Sequence, residues 1–211
     1  MRLVFREYNF VYWLAKTVVR TVFILFSRTQ IVNERNVPSE GGLLLVCNHI
    51  SHLDPPMVAT TCRRMVYFLA KKELFMGFIV GWFMRNSGQV PVHRGKGKDA
   101  VDAAVDLLNK GRCICIFPEG TRSRTGEMMR PHTGIVVIAS QVNVPIVPIL
   151  VEGTFKMMPP KAKFPKLFSK MRITYGEPFY LTEEEKDLNS KEKMRETADM
   201  IMSRIRTLKG N

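Results

Sequence analysis

Cysteine is scarce in this 211-residue chain, and the four present, Cys47, Cys62, Cys113 and Cys115, follow neither a CxxC nor a zinc-ligand spacing. That excludes a disulfide framework, speaks against a structural metal, and fits a reducing compartment. Acidic residues are also few: Asp and Glu number 19 against 32 Lys and Arg, a formal net charge of +13. Such an imbalance implies an anionic partner, whether nucleic acid, a phospholipid surface or a phosphorylated substrate. No helix-turn-helix, RRM-like or zinc-finger pattern is present, so nucleic acid is the weakest of the three. The GKGK run from Gly95 to Lys98 lacks the GxxxxGK[ST] spacing of a P-loop, and the chain has no GxSxG nucleophile elbow. Linkers and internal repeats are missing too, which argues against a multi-domain array.

What the chain does have is apolar material, at 45% of residues, enough for one large domain with a small appendage. The appendage is residues 1–30. Its apolar run from Phe10 to Phe26 carries Lys16 and Arg20, which are costly inside a spanning helix, and no small-residue cleavage pattern follows. As a helix it sets Asn9, Lys16, Arg20 and Ser27 near one face, with Phe10, Leu14, Val18 and Leu25 elsewhere. That pattern suits an amphipathic segment lying in a bilayer interface with its cations at the headgroups. A helix packed on the protein's own core and a single span are the alternatives.

Residues 31–211 read as an α/β domain: a mixed, largely buried central sheet flanked by helices. The expected strands are Leu43 to Cys47, Met65 to Ala70, Gln89 to Val92, Arg112 to Phe117, Ile146 to Val151 and Met171 to Tyr175. Asp99 to Lys110 reads as a helix stopped by Gly111, and Lys191 to Leu208 as a second with Ala198, Ile201 and Ile205 on its inner face. Cys113 and Cys115, two apart on a strand, share a face as small core residues.

Chemistry concentrates after the first buried strand, at Asn48, His49, Ile50, Ser51, His52, Leu53, Asp54, Pro55 and Pro56. His49 and Asp54 are five apart, about 140° on a helix, so they meet only across a bend. Pro55 suits a first helical position with Asp54 as N-cap, and a turn before it brings carboxylate and imidazole together. Such a pair is a general base: the carboxylate fixes the tautomer while the other ring nitrogen takes a proton from a hydroxyl. Ser51 served by His49 is a competing nucleophile, and a purely structural cap is the bland alternative; His52 reads as a rim residue. A second site follows another strand at Phe117, Pro118, Glu119, Gly120, Thr121, Arg122, Ser123 and Arg124. A flexible glycine between carboxylate and guanidinium at a strand's carboxyl end suits a phosphorylated polyol. An ordinary turn with an ion pair is the alternative. The basic cluster His93, Arg94, Gly95 and the Val144–Pro148 segment say little alone.

Together, in this order and separation, the four blocks closely resemble the PlsC-type glycerolipid acyltransferases, specifically the 1-acylglycerol-3-phosphate acyltransferases, from about Val32 to Thr154. The resemblance implies that His49 is the catalytic base and Asp54 its orienting partner. It implies that Arg94, Gly95, Glu119, Gly120, Thr121 and Arg122 bind substrate, with Glu119, Gly120 and Arg122 at the acceptor's glycerol phosphate, and that Pro145 and Pro148 shape the acyl side. The family's lysine before the glycine that follows the third block is missing: Pro131, His132, Thr133 and Gly134 stand there, and Arg124, Arg130 or Lys72 are the possible substitutes. The implied reaction moves an acyl group from acyl-CoA or acyl carrier protein to lysophosphatidic acid, giving phosphatidic acid for phospholipid biosynthesis without metal or cofactor. Glycerol 3-phosphate or another lysophospholipid as acceptor, and an inactive basic lipid-binding protein, are the alternatives. The expected location is the cytoplasmic face of the cell membrane, peripheral or monotopic, and the family's N-terminal helices are likewise implied to dock there. Lys156, Lys161, Lys163, Lys166, Lys170 and Arg172, interleaved with Phe155, Phe164, Leu167 and Phe168, suit an anionic bilayer surface.

Overall fold

Five of the seven strands are runs of mainly aliphatic residues with no polar alternate face, which forces them between two layers. The computed structural model describes residues 10–92, 97–159, 162 and 164–210. Its strands are β1 (Arg28–Val32), β2 (Leu43–Cys47), β3 (Val66–Lys71), β4 (Val90–Val92), β5 (Cys113–Ile116), β6 (Ile146–Glu152) and β7 (Lys170–Tyr175), in spatial order β1-β7-β6-β2-β5-β3-β4. All pairings are parallel except β6 with β7. The carboxyl ends of β2 to β6 therefore share one edge of the sheet with the starts of β7 and β1.

The helices are α1 (Phe10–Phe26), α2 (Asp54–Thr61), α3 (Ile79–Asn86), α4 (Gly97–Asn109), α5 (Gly134–Ser140), α6 (Thr154–Met157) and α7 (Lys191–Arg206). Strand alternation sends Leu43, Leu45 and Cys47 to one face, against Met57 and Val58 of α2, while Leu44 and Val46 join Ala104, Leu108, Ile201 and Ile205 under α4 and α7. Full burial of each large aliphatic side chain contributes about 1.5–3 kcal/mol, and both sides of β2 are filled this way. Gly111, at φ +76°, closes α4 with its amide on Leu108 O, as its sequence position predicts.

This is the mixed, helix-flanked sheet expected from the sequence, with one unforeseen strand. β1 (RTQIV) is too polar to be read as a buried strand, yet it pairs along its length with β7. The boundary expected after residue 30 thus falls inside a strand. Lys16 in α1 and Ser27 just after it turn the other way from the expectation, while Arg20 stays exposed. Lys16 is only 8% exposed; its Nζ donates to Cys62 O and lies 4.5 Å from the Trp13 ring centroid. Tyr12 and Phe23 are buried beside it in the helix, while Phe10, Leu14, Val18, Ile24 and Leu25 face outward. Among the described residues no helix is long and apolar enough to cross a membrane.

Candidate active site

β2 ends at Cys47, and the next residue locks the chain to the neighbouring strand. The Asn48 side chain donates to Val151 O at 3.0 Å and accepts from Val151 N at 2.8 Å, imitating one more rung of the β2–β6 ladder. His49 then leaves the sheet. Its Nδ1 lies 2.9 Å from Asp54 Oδ2, which also accepts the amides of Ile50 and Ser51, each at 2.7 Å. The other oxygen, Oδ1, accepts from Thr154 Oγ1 at 2.6 Å. Asp54 opens α2, but its carboxylate does not cap that helix. The two following positions are Pro55 and Pro56, which have no amide hydrogen to offer, so the carboxylate folds back onto the preceding turn. Four donors thus hold a fully buried carboxylate, and a charged oxygen in that setting directs Nδ1–H toward itself. The tautomer follows: Nε2 is the free basic nitrogen. The His49 ring is clamped flat by Phe117, with centroids 4.1 Å apart at 24°, and its side chain keeps 16% exposure.

The loop after β5 is tied to the same turn. Ser123 N donates to His49 O at 2.8 Å, and Glu119, 2% exposed, accepts His49 N on Oε1 at 2.7 Å and Met129 N on Oε2 at 2.9 Å. Burial raises the Glu119 pKa, against the lowering effect of those two amides. Both oxygens are committed to backbone, so Glu119 braces the turn that carries His49. Gly120 takes φ +65°, and a Cβ there would lie 2.8 Å from His132 Cδ2, which sets His132 against the loop. Thr121 is exposed and Arg122 half-buried. Partial burial of the His52 ring lowers its pKa, and Arg122 and His49 add to the effect. Arg122 precedes Ser123, whose amide sits on His49 O, so the backbone holds Arg122 beside the His49 turn.

The other expected site residues fall elsewhere. Arg94 and Gly95, with His93, lie outside the described residues. Pro145 precedes β6, its carbonyl accepting Leu44 N, so it stands at the opposite end of the sheet, roughly 10 Å of strand before Cys47. Pro148 pairs with Val46, lies against Gly176 and accepts its amide on O at 2.8 Å. Neither proline is brought to His49. The Ser51 hydroxyl is buried and donates to Met158 O at 3.0 Å, which leaves it no part as a nucleophile. Three residues of the site carry no signal of their role in the sequence. Asn48 and Phe117 stand inside motifs without an assigned task, and Thr154, a hundred positions from Asp54, has nothing local to mark it.

An imidazole held by a buried carboxylate, with Arg122 in the loop bonded to the same turn, has the groups a general base and an anion contact require, on an α/β scaffold. The family model described as Acyltransferase matches residues 28–152, and the chain belongs to that family. It is 31% identical over 184 residues to the chloroplastic 1-acyl-sn-glycerol-3-phosphate acyltransferase BAT2 of Brassica napus, covering 84% of this chain and 53% of that protein. It is 28% identical over 201 residues to the 1-acyl-sn-glycerol-3-phosphate acyltransferase of Bacillus subtilis, covering 93% of this chain and 96% of that one. In fold it matches the crystal structure of the 1-acyl-sn-glycerophosphate acyltransferase PlsC from Thermotoga maritima, with a TM-score of 0.74 at 24% identity over 96% of this chain and 82% of that chain. The chain thus spans about half the length of the plant relative and nearly all of the bacterial one.

Proposed function

We propose that this chain transfers a fatty acyl group from an acyl thioester to the 2-hydroxyl of 1-acylglycerol 3-phosphate, releasing phosphatidic acid and a free thiol. The observation that carries the proposal is the 2.9 Å contact between His49 Nδ1 and Asp54 Oδ2, which leaves Nε2 as the free nitrogen on a turn whose His49 carbonyl holds the amide of Ser123, next in sequence to Arg122. The names of the plant and bacterial relatives point to the same acceptor.

In this scheme Arg122 takes the acceptor's phosphate and presents the hydroxyl to His49. Nε2 removes the hydroxyl proton as the oxygen attacks the thioester carbonyl, and the imidazolium that forms is stabilised by Asp54. As the tetrahedral intermediate collapses the carbon–sulfur bond breaks, and the same proton passes to the departing thiolate. Nothing beyond the thioester, carried by coenzyme A or an acyl carrier protein, is needed. Glu119 supports the base rather than touching the substrate. Docking on an anionic bilayer is part of the proposal, supported by the outward apolar face of α1 and the surplus of cations.

Incubation with lysophosphatidic acid and a labelled acyl thioester tests this. Transfer gives labelled phosphatidic acid, hydrolysis gives labelled fatty acid, and a binding protein gives neither. Product formation that survives His49→Ala removes the assignment. Comparing glycerol 3-phosphate and other lysolipids in the same assay fixes the acceptor.

A further inference from the structure

A second basic site lies on the other face of the sheet. A groove of about 430 Å³ runs beside β1 and β7, lined by Arg28, Gln30, Glu152, Lys170 and Arg172. Register pairs Arg28 with Lys170, Gln30 with Arg172, and Arg172 with Glu152, so alternation puts all five side chains on one face. Their alternates Met171 and Ile173 point into the core shared with α2, which separates this groove from His49. Three cations against one carboxylate leave a net positive groove. Arg172 Nε is shielded from solvent with no hydrogen-bond partner. A buried donor in that state favours the arrival of an acceptor.

The neighbouring surface says where that acceptor comes from. Phe26 and Phe168 stand two residues before Arg28 and Lys170, the first residues of their strands, and are joined by the Phe168 N to Phe26 O bond at 2.6 Å, with rings 6.4 Å apart. Phe168 is 67% exposed, and Phe164 in the same loop 81%. Two residues of chain span roughly 7 Å, comparable to the depth to which interfacial side chains enter the acyl boundary. Aromatics at acyl depth therefore place the groove's cations at the level of phosphates. A soluble phosphate ligand gives no reason for the exposed rings.

We infer that this groove binds the phosphate of an anionic membrane phospholipid, a headgroup site apart from the catalytic one that orients the molecule on the bilayer. The inference extends the reading that this chain works on membrane lipid. Sedimentation with phosphatidylcholine vesicles, with and without phosphatidylglycerol, tests it in the full chain. The variants are Arg172→Gln and the exposed pair Arg28→Gln with Lys170→Gln. The control is Arg206→Gln with Lys209→Gln, which removes equal charge beyond the far end of β7, where Leu208 packs against Gly176. Each groove cation is worth about fivefold in partition, so the pair loses roughly 25-fold on anionic vesicles. The control, screened by distance, loses about twofold or less. Equal losses in the two pairs, or wild-type partition in the groove variants, overturn the inference. Turnover of lysolipid dispersed in detergent stays at the wild-type level in the groove variants. If the wild type itself fails to transfer acyl groups there, the enzymatic reading falls while the vesicle comparison still decides the groove.

Discussion

Replacing Asp54 by Asn removes the charge of the site while leaving its shape. Oδ2 accepts three donors, the amides of Ile50 and Ser51 and His49 Nδ1, and only an oxygen satisfies that position. The new amide nitrogen therefore takes the place of Oδ1, opposite the Thr154 hydroxyl, which can turn to accept. Connectivity and tautomer survive. Weakening charge-assisted bonds to neutral ones costs about 1 kcal/mol each, and relief of a buried carboxylate's desolvation offsets much of that, so stability changes by about 2 kcal/mol at most. Catalysis has no such offset. The reaction creates an imidazolium 2.9 Å from the carboxylate oxygen, an attraction of roughly 4–6 kcal/mol at an effective dielectric of about 20. Its loss lowers kcat by about 10³- to 10⁴-fold. Single-turnover transfer of labelled acyl groups at saturating acceptor, together with urea unfolding, measures both quantities. A folded Asp54→Asn protein with kcat within about tenfold of wild type refutes the charge argument. Thr154→Val is the complementary case. It keeps the charge and strips one donor, so it loses about 1.5–3 kcal/mol of stability with only a small change in kcat.

Three further outcomes follow from the loop after β5. The raised Glu119 pKa means the folded state holds that proton longer than the unfolded chain. Its contribution is therefore full below the unfolded pKa and is lost as pH rises through the folded one. The stability advantage of wild type over Glu119→Gln should narrow as pH rises above the ordinary carboxylate range, and urea midpoints that diverge instead contradict the burial argument. Gly120→Ala forces a side chain onto φ +65° against His132, costing about 1–2 kcal/mol and raising the acceptor KM, read by thermal unfolding and steady-state kinetics. Arg122→Gln should cut kcat/KM for lysophosphatidic acid by about 10- to 100-fold, the value of a charge-assisted bond, and leave an unphosphorylated monoacylglycerol acceptor unaffected. An equal loss with both acceptors assigns Arg122 to the fold.

Most strands that can be read from the sequence are unbroken apolar runs. Leu43 to Cys47 emerges with its expected limits, and β3, β5 and β6 within one or two residues of theirs, because such a run fixes a strand without knowledge of its neighbours; β7, with Lys170, Arg172 and Thr174 alternating with Met171, Ile173 and Tyr175, is legible from its period of two. β1 escapes because edge position, not composition, decides it. Within the site, His49 and Asp54 are legible through spacing and the prolines that follow. The direction of the Asp54 carboxylate is not, since it depends on which amides the turn leaves free. Glu119 illustrates the same limit: the motif identifies a carboxylate near the site, but the amide of His49, 70 positions away, and that of Met129 in its own loop decide that it supports His49. Thr154 reaches Asp54 only because Asn48 fixes β6 to the end of β2.

The amino-terminal helix shows why an amphipathic pattern alone does not give an orientation. Periodicity separates Lys16 from Phe10, Leu14 and Val18, but either face can be the one that meets the protein. Here the α2 end of the domain offers carbonyls that need donors: Lys16 serves Cys62 O and Tyr12 serves Ala59 O at 3.4 Å. Lys16 is thereby drawn inward while Arg20 stays exposed, and Phe10, Leu14, Val18 and Leu25 are left outside. This makes Lys16 a buried cation whose pKa burial lowers. The folded state then sheds this proton before the unfolded chain does, so the unfolded state binds more protons across that window. Stability from this group rises as pH climbs through the lowered folded pKa toward the unfolded value near 10.4. Lys16→Met removes that rise. Urea midpoints of wild type and variant, measured at neutral and alkaline pH, should draw apart in favour of wild type as pH increases. A constant difference between the two proteins means that Lys16 titrates as an exposed lysine, and α1 then presents its cations outward as the sequence pattern alone suggests.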